Sequence, residues 1–187
     1  MTEIQSRHAQ RSFAAQPLTA ESFAPFGWVL GRAFPAELHP SAFTNPATDF
    51  WSQHVFQTGA AGDLNGSTEI LWVNYRNREL MVSQVEKHLL TEQAIVPLTG
   101  SVVQFMACSN SDGSVDLSTA ATFIVHPGQG ICMRPDAWHA TRSLSPEVTC
   151  LMLTRASTTI DLVRHLRDGQ VAGESVIVDI PRCELAV

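Results

Sequence analysis

From Glu69 to Thr154 the chain breaks into short apolar or alternating runs divided by turn-forming residues. Ile70–Tyr75, Met81–His88, Ala94–Leu98 and Val102–Cys108 read as strands, and so do Ala121–Val125, Gly130–Met133, Trp138–Arg142 and Val148–Thr154. Between them stand Asn77, the Leu90-Thr91-Glu92 corner, Thr99-Gly100, Asn110 to Gly113, Pro127-Gly128 and Pro135-Asp136. Many short strands at this spacing predict an antiparallel sandwich or barrel, not a series of βα units.

The flanks read differently. Near the N-terminus, Thr19 can cap a short helix with Glu21 in its first turn, turning Phe23 and Phe26 toward a core and stopping close to Gly27. Gly31 to Gly66 is rich in Pro, Thr, Asn and Gly and reads as long loops around short strands. Thr159 to Gly169 is a second helix with a Thr cap, Ile160, Val163 and Leu166 on roughly one face, and Gly169 as the stop. The 187 residues suit one domain over 1–187, with a core at about 69–155 and the N-terminal extension and C-terminal helix packed on it.

Composition narrows the partners. The formal net charge is -6 with both signs scattered, which argues against a nucleic-acid surface, and no basic run suggests a membrane contact. Met1 to Gln16 is polar and lacks the apolar stretch of a secretory signal. Cys108, Cys132, Cys150 and Cys183 form no C-x-x-C pair and read as reduced thiols of a cytoplasmic protein.

Chemistry concentrates in two places. Alternation along Met81–His88 puts Val82, Gln84, Glu86 and His88 on one face and Met81, Ser83, Val85 and Lys87 on the other. Gln93 opens the next strand; far along the chain, Pro135-Asp136-Ala137-Trp138-His139 ends a second turn-rich strand pair in a histidine. Lys87 is expected to point away from His88, and Trp138 to pack at the barrel mouth or touch a ligand. His8, His39, His54, His126 and His165 have no partner pattern, and Asp112 to Asp116 reads as a hairpin loop.

These two polar strand pairs, separated by Cys108 to Ala121, resemble the paired motifs of the cupin superfamily: Glu86-Lys87-His88 at the paired-ligand positions, Gln93 at the Glu position, Gly100 as the closing Gly and His139 as the second-motif His. One branch is closer. Leu18 to Gly27, Glu86-Lys87-His88, Gln93-Ala94-Ile95-Val96-Pro97-Leu98, Pro127-Gly128-Gln129-Gly130 and Trp138-His139 occur in the order of the ureidoglycolate lyase family. Three blocks depart from it. Leu89-Leu90-Thr91-Glu92 replaces Pro-Leu-Gly-Ser/Thr, Trp-His-His becomes Trp138-His139-Ala140, and Asn45 to Trp51 lacks a downstream Arg, a role left to Arg76 or Arg78.

The resemblance implies an all-β, antiparallel double-sheet cupin (jelly-roll) barrel with short peripheral helices. It also implies a homodimeric, metal-dependent C–N lyase giving glyoxylate and urea in allantoin and purine-nitrogen degradation. Glu86, His88, Gln93 and His139 are then the expected catalytic and metal-binding residues, and Arg76, Lys87 and Trp138 the expected contacts to a small anionic substrate. The resemblance implies nickel as the usual metal, and the donor mixture itself suits nickel, zinc or manganese. Two other readings stay open: an enzyme for another small ureido or 2-hydroxy acid, and a non-catalytic small-molecule-binding cupin.

Overall fold

The computed structural model describes residues 11–34, 42–59, 66–170 and 173–187. Its elements in chain order are β1 (Arg11–Gln16), α1 (Ala20–Phe23), β2 (Gly27–Leu30), β3 (Ala42–Thr44), β4 (Asp49–Trp51), β5 (Thr68–Tyr75) and β6 (Met81–His88). There follow β7 (Gln93–Pro97), β8 (Val102–Ser109), β9 (Val115–Val125), β10 (Gly130–Met133), β11 (Trp138–Ser143), β12 (Val148–Arg155), α2 (Ala156–Asp168) and β13 (Ser175–Ala186). All eight strands expected between Glu69 and Thr154 are present, most within a residue or two of their expected ends. The strand expected at Ala121 begins six residues earlier, at Val115, and confines the preceding turn to Asn110–Ser114.

Two layers make the fold. Six strands close on themselves in the order β1-β13-β6-β11-β8-β9, and five more form a sheet in the order β2-β10-β7-β12-β5. Apart from β1, which runs parallel to both β13 and β9, the pairing is antiparallel. Alternation along β8 explains how one strand serves two cores. Val102 and Met106 face Ile95, Ile131, Phe123 and Met133 between the layers. Val103, Phe105 and Ala107 face Val82, Val85, Trp138 and Leu185 inside the closed barrel. Both clusters are almost wholly removed from water, the main favourable contribution to such a fold.

The chain ends depart from the sequence expectation. Arg11–Gln16 is no peripheral extension but a barrel strand, and β13 near the C-terminus hydrogen-bonds to both β1 and β6. The barrel therefore extends beyond 69–155 in both directions. α1 forms as expected, with Thr19 and Ser22 in a reciprocal capping box and Phe23 and Phe26 buried. α2 starts at Ala156 rather than Thr159, its N-cap is Arg155 without a side-chain cap, and Gly169 ends it in the left-handed conformation. Its apolar stripe faces outward: Ile160, Val163 and Leu166 are 54%, 41% and 73% exposed, while Thr158 and Asp161 are buried. Asp161 Oδ2 accepts from the backbone N–H of Glu174 and Ser175, so the inward face of α2 is used to fix the start of β13. The cysteines are unpaired as expected, and among the five unpatterned histidines His8 and His39 lie outside the described residues.

Candidate active site

Backbone register brings the first two site residues together. β6 and β11 pair with Glu86 directly opposite His139, and residues opposed in an antiparallel pair project from the same face with Cβ atoms about 5 Å apart. His88 lies two residues beyond Glu86, so alternation keeps it on that face. The corner after His88 carries the chain from the barrel to the second sheet, where Gln93 opens β7. Glu86, His88 and His139 thus each offer a ligand atom within 4.8 Å of the others, and Gln93 Nε2 is 3.0 Å from His88 Nε2.

The two imidazoles are oriented from behind. His139 Nδ1 is 3.0 Å from the carbonyl oxygen of Ala137, an arrangement that needs the proton on Nδ1 and leaves a lone pair on Nε2. That Nε2 is buried, lacks a hydrogen-bond partner and lies 3.5 Å from Glu86 Oε1, within ion-pair reach. A lone pair facing a carboxylate in a water-poor site calls for a positive centre between them, which either a proton on Nε2 or a cation supplies. His88 Nδ1 is held by Ser175 Oγ at 3.1 Å, the supporting bond that metal-ligating histidines almost always carry. Rotating the Gln93 amide by half a turn would present its oxygen in place of its nitrogen. The residues could hold a divalent cation through His88, His139 and the Gln93 oxygen, with Glu86 either as a further ligand or as a base beside it.

Electrostatics agree with that chemistry. Burial, then His139, push His88 down to about 4 against the opposing pull of Glu86 and Asp161, so its imidazole is neutral and available near neutral pH. Burial raises the Glu86 carboxyl, but His139 beside it and the fields of His139, His88 and His165 outweigh burial and hold it below its ordinary value. Tyr75 is shifted up, first by burial and then by Glu86 and Cys150, and stays a neutral phenol.

Two cavities meet at Glu86. One, of about 360 Å³, runs between the layers under α2 and has a mainly apolar wall that includes Leu71, Val73, Met152 and Leu162, with His88 and Gln93 at its polar end. The other, of about 250 Å³, is more polar and includes Asn77, His139, Thr141 and Arg142. Tyr75 lines both.

The remaining candidates lie elsewhere. Lys87 does point away from His88, as expected, but it is buried rather than at a ligand surface. Its Nζ bonds to Ser109 Oγ and the Gly113 carbonyl, pairs with Asp136 and sits 4.5 Å from the Trp138 ring centroid. Trp138 is 1% exposed inside the closed barrel, the packing role among its two expected ones. Arg76 is exposed and paired with Glu147 at 2.5 Å, and neither cavity wall includes it. The cation beside the site is Arg142, anchored by its Nε to the Glu79 carbonyl and by Nη1 to the Thr141 carbonyl, both at 2.9 Å. Its place at the end of the His139 strand was visible in the sequence; its reach into the second cavity was not. Tyr75 and Ser175 were also missed, because β5 shows only an inward-facing phenol and β13 was not expected at all.

A jelly-roll of two sheets with buried imidazoles and a carboxylate at the seam defines a cupin-type barrel with a candidate metal centre. A family model described as ureidoglycolate lyase matches residues 10–172. The ureidoglycolate lyase of Chelativorans sp. (strain BNC1) is 30% identical over 138 residues, covering 69% of this chain and 75% of that protein. That of Mesorhizobium japonicum is 32% identical over 127 residues, covering 67% and 74%. The chain belongs to the ureidoglycolate lyase family. Among solved structures, a dTDP sugar isomerase from Desulfovibrio desulfuricans G20 overlaps in part, with a TM-score of 0.41 at 10% identity over 73% of this chain and 78% of that one.

Proposed function

We propose that this protein cleaves ureidoglycolate to glyoxylate and urea, a C–N lyase step in the degradation of purine nitrogen through allantoin. Besides family membership, the observation that carries the reading is the cluster of half-buried Glu86 with buried His88 and His139, their ligand atoms within 4.8 Å of one another. A divalent cation held there, nickel by preference and zinc or manganese as alternatives, would polarise the hydroxyl and carboxylate oxygens of the substrate.

The chain's own residues supply the rest. Ureidoglycolate is a carbinolamine: its hydroxyl must lose a proton, the C–N bond breaks as the C=O of glyoxylate forms, and the departing urea nitrogen must gain a proton. Glu86, held ionised and only partly covered, takes the hydroxyl proton. Tyr75, a neutral phenol lining both cavities, is placed to protonate the urea nitrogen. Arg142 offers the carboxylate a positive neighbour from the second cavity. His88, His139 and Gln93 would hold the cation, and their burial keeps water from the site.

The proposal includes a cytoplasmic homodimer. Support for the dimer comes from β5, an edge strand of the second sheet that leaves Ile70 and Trp72 exposed; an uncovered apolar edge invites a partner. The functional test is a comparison of chelator-treated and metal-reloaded protein on racemic ureidoglycolate. Metal-dependent release of glyoxylate and urea in equal amounts is expected; faster turnover of another ureido or 2-hydroxy acid would reassign the substrate.

A further inference from the structure

A second cluster lies on the other side of the five-stranded sheet. Along β10, Ile131 and Met133 point into the apolar core between the layers, so Cys132 points out of the opposite face. Glu92, just before β7, turns to that face too, one residue away from the inward-facing Gln93. The segment carrying His54 passes over both. His54 Nε2 is 2.8 Å from Glu92 Oε2, and Cys132 Sγ is 3.8 Å from the same oxygen. All three ligand atoms lie within 4.8 Å of one another, with Glu92 and Cys132 buried and His54 half-buried.

We propose that His54, Glu92 and Cys132 form a second divalent-cation site, of the zinc class, separate from the cluster at Glu86, His88 and His139. One imidazole, one carboxylate and one thiol make a mixed N, O, S donor set that zinc favours, with the fourth position left to water. Zinc bond lengths of about 2.0 Å to N and O and about 2.3 Å to S put tetrahedral neighbours about 3.3 to 3.5 Å apart. The 2.8 Å and 3.8 Å separations from Glu92 Oε2 bracket those values, and His54 Nε2 and Cys132 Sγ lie within 4.8 Å of each other. Charge favours it as well: a carboxylate and a thiolate neutralise a dication, which a buried site requires.

The surroundings hold the donors in place. The His54 ring stacks on Trp28 with centroids 4.0 Å apart, and Trp28 carries the Arg134 guanidinium on its ring. The Gln57 N–H donates to Glu92 Oε2 at 2.8 Å, and the Glu92 N–H donates to the Gln57 carbonyl at 3.1 Å. Burial first, and then Glu92, push the Cys132 thiol up to about 12. It is thus protonated until a cation arrives and displaces the proton, the usual coupling of thiolate ligation to proton release. Bound there, the cation would clasp the 53–58 segment to the sheet.

Cobalt(II) distinguishes the two sites, because only this one contains sulfur. Chelator-treated full-length protein is dialysed against Co²⁺, and metal content is measured with the near-ultraviolet thiolate-to-cobalt absorption. Expected are two metal equivalents and a charge-transfer band in the wild type. A His88→Ala/His139→Ala variant should keep the band and one equivalent, and Cys132→Ser should lose the band. His54→Gln gives a second check should Cys132→Ser not fold: it too should lose an equivalent. A wild type and double variant that both lack the band overturn the proposal, and the activity of the first site has no bearing on that outcome.

Discussion

Ser175 shows how much of this site depends on residues that never touch a substrate. Its hydroxyl fixes the Nδ1 side of His88, and its own backbone N–H is held by Asp161. Ser175→Ala should therefore weaken metal binding by about 10–100-fold, the usual cost of removing such a support; equilibrium dialysis measures it. Lys87 provides the contrast. Lys87→Met removes a buried charge whose partners lie on the face away from His88. Thermal stability should fall, while KM for ureidoglycolate should stay within about twofold; a steady-state assay on the folded fraction at low temperature separates the two. Acid should also act through this cluster in the metal-free protein. His88 is depressed from 6.5 to about 4, so below 6.5 the unfolded chain binds a proton that the folded chain resists. Stability is fully present above pH 6.5 and declines as pH falls toward 4. Denaturant titrations across that window should show the decline, and His88→Gln should flatten it.

At the scale of elements, the pairing of β6 with β11 makes the site, and it was half legible in the chain. Alternation put Glu86 and His88 on one face, and the turn at Pro135-Asp136 announced a strand ending near His139. Nothing local said that Glu86 and His139 would stand directly opposite each other, because register is settled by the whole sheet. The Asp136 turn itself has a physical cause: it adopts φ 68°, which Asp tolerates better than most residues, while its N–H donates to the His88 carbonyl at 2.8 Å. β1 was illegible for a related reason, whereas the β-branched run Val176-Ile177-Val178 of β13 was a legible strand signal that the expectation passed over. Arg11–Gln16 is largely exposed, and its hydrogen bonds to β13 and β9, with Phe13 packed on Phe105, make it a strand. The His54, Glu92 and Cys132 cluster joins three segments with no short spacing between them, so no motif could have flagged it. A sharper test of element packing is Gly27 on β2, where an added Cβ would sit 1.9 Å from the Cys132 carbonyl oxygen. Gly27→Ala should cost about 1–3 kcal/mol in urea unfolding, the range for forcing atoms into a filled space.

For the whole molecule, the two layers do different work. The closed barrel supplies Glu86, His88 and His139, the second sheet supplies Gln93, Tyr75 and the apolar wall, and α2 roofs the seam between them. The second sheet and α2 also carry uncovered apolar residues, Ile70, Trp72 and Leu166 among them. If β5 is the dimer edge, Trp72→Glu should yield a monomer in light scattering with its circular dichroism unchanged; a dimer that survives would move the interface elsewhere. Two imidazoles brought together from β6 and β11 would make this a ureidoglycolate-cleaving centre. That role is tested most directly by the rate of glyoxylate release from ureidoglycolate, measured for nickel-loaded wild type and His139→Ala at equal concentrations of folded protein. Expected is steady turnover by the wild type and a loss of at least about 10²-fold in the variant, as befits a ligand to a catalytic metal. No glyoxylate from the wild type, or an equal rate from the variant, would contradict it.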